Sequence, residues 1–146
     1  MTRIVVGIDG SENSEEALRW ALAEARLRGA VLEAVHAWAM PIYVVSGFAP
    51  VVPPDRLAMH EAANELLEKA VARVLGDAKD VEVERDVIEG MAVRVLLGEA
   101  ADADLLVVGA CGHGGVAGIW LGSVSRQCVQ HALCPVVIVR HQRATA

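Results

Sequence analysis

Three glycines and two serines carry the clearest chemical signal in the chain. They read Gly109-x2-Gly112-x9-Gly122-Ser123-Val124-Ser125, directly after the apolar run Leu105-Leu106-Val107-Val108. Glycine lets backbone N–H groups approach an anion with no Cβ in the way. Gly122-Ser123-Val124-Ser125 opens a helix, whose first-turn N–H groups lack intrahelical partners and whose dipole favours negative charge. The hydroxyls of Ser123 and Ser125 add donors. The pattern is that of a polyphosphate cradle with almost no formal charge. The same residues also read as a surface loop ahead of an ordinary serine N-cap. Two features favour the cradle: the loop leaves a central strand, and glycines flank it on both sides.

Other chemistries fit less well. Gly-x4-Gly-Lys-Ser/Thr is absent, and neither lysine, Lys69 or Lys79, is near a glycine loop, which excludes a P-loop. Gly112-x-Gly114-x-x-Ala117 matches a dinucleotide fingerprint only formally, because it does not open a helix directly. Cys128, His131 and Cys134 fall at helical spacing, but Cys134 lies past the expected helix end and no Cys-x2-Cys accompanies them, which disfavours zinc. His36 reads as a core or dimer-contact histidine, and Trp38 and Trp120 as residues packed under loops. No Ser-His-Asp spacing or carboxylate pair stands out.

These residues are positioned by a repeating switch between strand and helix periods. Arg3 to Ile8 is a strand buried on both faces, and a helix runs from Ser14 to about Arg28 with Gly29 as its stop. Val31 to Trp38 is a second strand. Asp55 caps a helix ending near Gly76. Val81 to Ile88 alternates and is expected at a sheet edge, with one solvated face. A short helix spans Val93 to Ala101, a fourth strand Asp104 to Gly109, a helix Gly122 to His131, and a fifth strand Pro135 to Arg140. Alternation of this kind implies an α/β fold: an open five-stranded parallel sheet with helices on both faces. In the order 3-2-1-4-5, the glycine-rich turns after strands one and four flank the switch point where such sheets bind ligands.

Composition narrows the classes. The chain has 146 residues, 54% of them apolar, and a formal net charge of −6. That suits one domain over residues 1–146 and disfavours a nucleic-acid partner, whose phosphates the acidic surface repels. Three cysteines without a pairing pattern fit a reducing, cytoplasmic setting. The N-terminal run before the first strand is too short for a signal peptide. The stretch from Ala34 to Pro54 has no Asp, Glu, Lys or Arg, but Pro41, Gly47, Pro50, Pro53 and Pro54 break it, so it reads as a strand end and loop, not a membrane span.

The glycine spacing, together with Val5-Val6-Gly7-Ile8-Asp9-Gly10-Ser11 leading to Ala17-Leu18, and the ending Gly122-Ser123-Val124-Ser125 through His131 to Cys134-Pro135-Val136, resembles the universal stress protein family over essentially the whole chain. The glycine motif resembles that of the family's ATP-binding branch. The resemblance implies a Rossmann-like, adenine nucleotide α-hydrolase-like fold, a homodimer paired through the last strand, and a stress-response regulator holding ATP, ADP or AMP, with Mg2+ bridging the phosphates. It places Ile8 and Asp9 by the adenine and ribose, Ala37 at the adenine, Val108 and Gly109 along the ribose, and Gly112, Gly122, Ser123, Val124 and Ser125 around the phosphates. Cys111 stands where relatives commonly carry Arg or His, and His113 where a basic residue is frequent, which implies weaker, more magnesium-dependent binding. The alternatives are a slow ATPase or autophosphorylating enzyme using Ser123 or Ser125, and a ligand-free interaction protein. The loop from Ala39 to Pro54 is expected to close over the base or mediate association.

Overall fold

A computed structural model describes residues 1–41, 54–111 and 121–141. Within them the chain alternates strand and helix throughout: β1 (Arg3–Gly7), α1 (Glu12–Arg28), β2 (Val31–Trp38), α2 (Arg56–Leu75), β3 (Val83–Glu89), α3 (Ala92–Glu99), β4 (Leu105–Gly109), α4 (Ser123–His131) and β5 (Val136–Val139). The strands form one parallel sheet in the order β3-β2-β1-β4-β5. β3 is at an edge, as its alternating pattern requires.

The two faces of the sheet bury different sets of residues. Ile4 and Val6 of β1 pack with Leu18 and Leu22 of α1 and Leu67 and Val71 of α2. Their neighbours in the pleat, Val5 of β1, Val35 of β2 and Leu106 and Val108 of β4, pack with Leu96 of α3 and Cys128 of α4. Successive residues of a strand point to opposite faces, so the continuous apolar runs of β1 and β4 serve both layers at once.

Several boundaries differ from expectation for identifiable reasons. α1 begins at Glu12, ahead of Ser14, because Ser11 is the N-cap: its Oγ accepts from Ser14 N at 3.2 Å. Ser11→Ala is expected to cost about 1 kcal/mol, read from the urea midpoint at unchanged m. α1 stops where Gly29 adopts φ +62°, a left-handed cap that glycine accepts without strain. β3 runs two residues later at its start and one later at its end, and pairs along β2 from Leu32↔Val83 to Trp38↔Glu89. α3 ends at Glu99, two residues short of Ala101, and Gly122 is the N-cap of α4 and not its first residue. β4 begins one residue late, and β5 has lost one residue at each end, leaving Val136–Val139.

Trp38 is buried, edge-on to the His60 ring of α2 with centroids 5.9 Å apart, while Trp20 is exposed on α1. Among the described residues, no helix is long and apolar enough to cross a membrane.

Candidate functional site

A cavity of about 470 Å3 opens at the carboxyl ends of β1, β2 and β4. That is the switch point of the sheet: the connection after β1 runs toward β2, and the one after β4 runs the other way, toward β5. Ile8, Asp9, Ala37, Val108, Gly109, Cys111, Gly122, Ser123, Val124 and Ser125 all line it, so the structure brings together every site residue named from sequence that lies within the described chain. Gly112 lies outside the described residues, as do His113, Trp120 and positions 42–53 of the loop after β2.

The turn after β1 is held by side chains. Asp9 Oδ1 accepts from Ser11 N at 2.9 Å and from the Ser11 hydroxyl, an Asx turn closed by its own next-but-one residue. Gly10 sits inside that turn at φ +83°, a conformation L-residues rarely adopt. Asp9 N donates to Ser14 Oγ at 3.3 Å, and Ser14 Oγ donates to Ser11 O at 3.0 Å. The carboxylate is thereby fixed at the cavity wall by the start of α1. Beneath it, His36 Nδ1 lies 2.7 Å from the Ile8 carbonyl. A carbonyl only accepts, so Nδ1 carries the proton, and this buried ring acts as a core buttress for the Ile8 backbone.

On the other side, α4 is clamped to the end of β4 through one carbonyl. Ala110 O accepts from Gly122 N at 2.7 Å and from Ser125 Oγ at 2.9 Å, while Ala110 N donates to Val139 O at 2.8 Å. The Ser125 hydroxyl also lies 3.0 Å from Gly122 O. Its single proton is therefore committed to main-chain carbonyls. This departs from the expectation that Ser125 adds a donor to the cradle, and it makes the residue a brace. Ser123 is exposed at the first turn. Gly122 makes no side-chain cap bond, and the first intrahelical bond is Arg126 N to Gly122 O at 3.0 Å. The N–H groups of Ser123, Val124 and Ser125 are thus the ones an α-helix leaves without intrahelical acceptors, and all three residues line the cavity.

Two close approaches give the cavity its shape. A Cβ on Gly109 would lie 2.8 Å from the Asn13 carbonyl carbon, so β4 can run against the start of α1 only with glycine here. A Cβ on Gly7 would lie 3.0 Å from Leu96 Cδ1. Leu96 and Ala92 of α3, with Val35 and Ala37 of β2 and Val108 of β4, supply an apolar wall. Gly7 and Ser11 belong to the turn that the sequence places at the switch point, whereas Ser14, Val35, Ala92 and Leu96 are lining residues the sequence reading does not name. Val35 was signalled by strand alternation two residues before Ala37; the contact of α3 with Gly7 had no local signal.

The thiols differ in setting. Cys128 is buried in the α3–α4 layer, and burial pushes its pKa up to about 11. Burial also raises Cys134. Cys111 alone among the three lines the cavity.

An open doubly wound sheet with a cavity at its switch point, walled by a helix N-terminus and glycines, defines the class of this protein as a Rossmann-like α/β domain. A model of the universal stress protein family matches residues 1–140, and the chain belongs to that family. A universal stress protein of Mycolicibacterium smegmatis is 39% identical over 137 residues, covering 94% of this chain and 45% of the relative. Universal stress protein Rv2005c of Mycobacterium tuberculosis is 38% identical over 138 residues, covering 94% of this chain and 45% of the relative. The chain therefore spans about half the length of these curated relatives. Among solved structures, a universal stress protein in complex with cAMP is 28% identical, with a TM-score of 0.70, covering 95% of this chain and 96% of that one. The universal stress protein of Archaeoglobus fulgidus in complex with dAMP is 26% identical, with a TM-score of 0.68, covering 95% and 98%.

Proposed function

We propose that this chain is an adenine-nucleotide-binding regulatory domain that works by binding and not by turnover. The observation that carries the reading is the pairing, in one cavity, of an apolar wall (Val35, Ala37, Ala92, Leu96, Val108) with the uncapped start of α4. The wall suits a flat base, Asp9 suits ribose hydroxyls, and the first-turn amides of Ser123, Val124 and Ser125 suit a phosphate. Related structures holding cAMP and dAMP support an adenylate as the ligand class. For ATP, Asp9 and Ser123 are the oxygen donors among the described lining residues that fit a hard cation shared with phosphate, so Mg2+ would neutralise the tail beside them.

Regulation would pass through assembly. β5 is at the opposite edge of the sheet from β3 and pairs with β4 on one side, which leaves its other side available for a second copy of the chain. Exposed Val129 and Leu133, in the helix and turn leading into β5, suit the apolar part of such an interface. Because β4 and β5 also carry Gly109 and the Val139 bond to Ala110, ligand at the cavity and pairing at β5 share a frame. Cytoplasmic placement fits a chain whose three cysteines show no disulfide spacing pattern.

A second reading, autophosphorylation, has the exposed Ser123 hydroxyl in its favour. Against it stands the described lining set, which offers one carboxylate, Asp9, and no Lys, Arg or His to stabilise a transferring phosphoryl group. Mass spectrometry of the supernatant after denaturing freshly purified protein tests the main reading. An adenylate near one per chain is expected. A ligand-free supernatant, with no adenylate binding on addition, would overturn it, and a phosphate adduct in the intact mass would favour the second reading.

A further inference from the structure

Gly7 is a glycine whose own backbone conformation does not call for one. It is the last residue of β1, paired with Val35 of β2, and it is not among the positive-φ glycines of the described chain, Gly10, Gly29, Gly76 and Gly90. A glycine in a strand often marks a place where another group comes close. Here that group is Leu96 of α3. A Cβ on Gly7 would lie 3.0 Å from Leu96 Cδ1 and 3.2 Å from Cδ2, with Val108 Cγ1 of β4 at 3.5 Å. Leu96 thus rests on a bare Cα. Both residues line the cavity, on an apolar floor shared with Val35, Ala37, Ala92 and Val108. That floor belongs wholly to β1, β2, α3 and β4.

The Leu96 side chain has one direction in which it can give. Val5, Leu106 and Cys128 of the same cluster are fully buried, and a close-packed interior resists even a small shift. The open side is the cavity. The Leu96 methyl groups therefore set how deep the floor lies, and the missing side chain of Gly7 sets where those methyl groups sit. A flat base gains apolar contact on such a floor. A base enlarged at its inner edge meets Leu96 instead.

We propose that Leu96, seated on Gly7, sets the depth of the base end of this cavity and so selects bare adenine over adenines that carry a bulky ring substituent. The proposal rests on the adenylate reading above and deepens it from the class of ligand to the size of base admitted. It draws on the floor alone and is independent of the phosphate end. Leu96 is the specificity-determining residue, and Gly7 is a positioning residue that acts through it.

Calorimetric titration of the full chain with AMP, and with AMP analogues carrying a phenylamino group at C2 or C8 or a benzyl group on N6, tests it. In the wild type at least one analogue is expected to bind at least about tenfold more weakly than AMP. Leu96→Ala is expected to narrow that ratio by at least about fivefold, by admitting the substituent. Gly7→Ala is expected to push Leu96 into the cavity and weaken AMP by at least about tenfold. Adding Leu96→Val, whose side chain is one methylene shorter, is expected to recover AMP binding to within about threefold of the wild type. A merely structural role for the pair would lower stability without moving the ratio between ligands. Analogues that all bind the wild type as tightly as AMP would overturn the proposal while leaving adenylate binding intact. So would a ratio unmoved by Leu96→Ala, or AMP bound equally by wild type and Gly7→Ala. Where Gly7→Ala alone does not fold, the Leu96→Ala ratio decides. If the wild-type chain binds no AMP, the adenylate reading falls and this one with it.

Discussion

Gly109→Ala is expected to destabilise the chain by about 3 kcal/mol and to weaken adenylate binding by more than about tenfold. The new methyl group would sit 2.8 Å from the Asn13 carbonyl carbon and 2.9 Å from Asn13 O and Cβ. Those atoms belong to the first turn of α1 and cannot rotate aside as a flexible side chain would. Either β4 retreats from α1 or the start of α1 moves, and Asp9, Ser11 and Ser14 move with it, because their hydrogen bonds to one another tie the turn to the helix. Cavity shape and stability are therefore lost together. Gly98 of α3 is the matched control: a Cβ there meets nothing within 4 Å, so Gly98→Ala is expected to stabilise by about 0.5–1 kcal/mol through helix propensity alone. Urea unfolding and calorimetric titration of both variants check the pair. Equal behaviour would contradict the close approach.

The second large effect is a pH dependence seated in Glu33. This carboxyl is almost fully buried in β2, bonded by Arg3 Nε of β1 at 2.6 Å, and Arg3 also reaches Asp102 at 2.8 Å and Glu99 of α3 at 3.6 Å. Glu84 and Asp86 of β3 face it as well, with ligand-type oxygens of the three within 4.8 Å of one another. One guanidinium thus serves a cluster rich in carboxylates. Burial first, and the hydrogen bond with Glu99 second, push Glu33 up to about 7, against the opposing pull of Arg3.

A carboxyl whose folded pKa is raised takes up a proton on folding. Its contribution is full below the unfolded value near 4.5 and is lost as pH rises through about 7, in all about 3 kcal/mol. Glu33→Gln mimics the protonated form and is expected to abolish that loss. Wild-type stability should fall between about pH 5 and about pH 8 relative to the variant, as read from urea midpoints. Parallel curves across the window would contradict the assignment. α3, whose Leu96 forms the cavity wall, ends at Glu99 in this same cluster, so stability and cavity shape meet there.

What the sequence discloses and what it hides divide along contact range. The layering follows from period, because continuous apolar runs such as Val5-Val6 and Leu106-Val107 need helices on both faces and the alternating third strand needs an edge, and the glycine-rich turns after strands one and four favour the order 3-2-1-4-5. The glycine loop after β4 and the start of α4 follow from glycine placement and the loop-to-helix step, which are local signals, whereas Ile8, Asp9, Ala37 and Val108 follow from the family resemblance. Ser11 and Ser14 are harder, since both suit an N-cap; only the Asp9 turn, which orients Ser11, decides between them. Leu96 against Gly7 and Asn13 against Gly109 are close approaches between distant segments, and no window of sequence encodes them. Glu33 is the extreme case. A lone glutamate in Val31-Leu32-Glu33-Ala34-Val35 reads as a break in the pattern, and only Arg3 on the neighbouring strand explains its burial.

The most direct test of the central claim, that the amides at the start of α4 hold an adenylate phosphate at the switch point, is amide chemical-shift mapping of the 15N-labelled chain during titration with cyclic adenylate or AMP. The largest shifts are predicted at Ser123, Val124 and Ser125, with smaller ones at Ile8, Asp9, Ala37 and Gly109 around the base and ribose. Unchanged α4 amides at saturating ligand, or shifts confined to residues that do not line the cavity, would contradict the account.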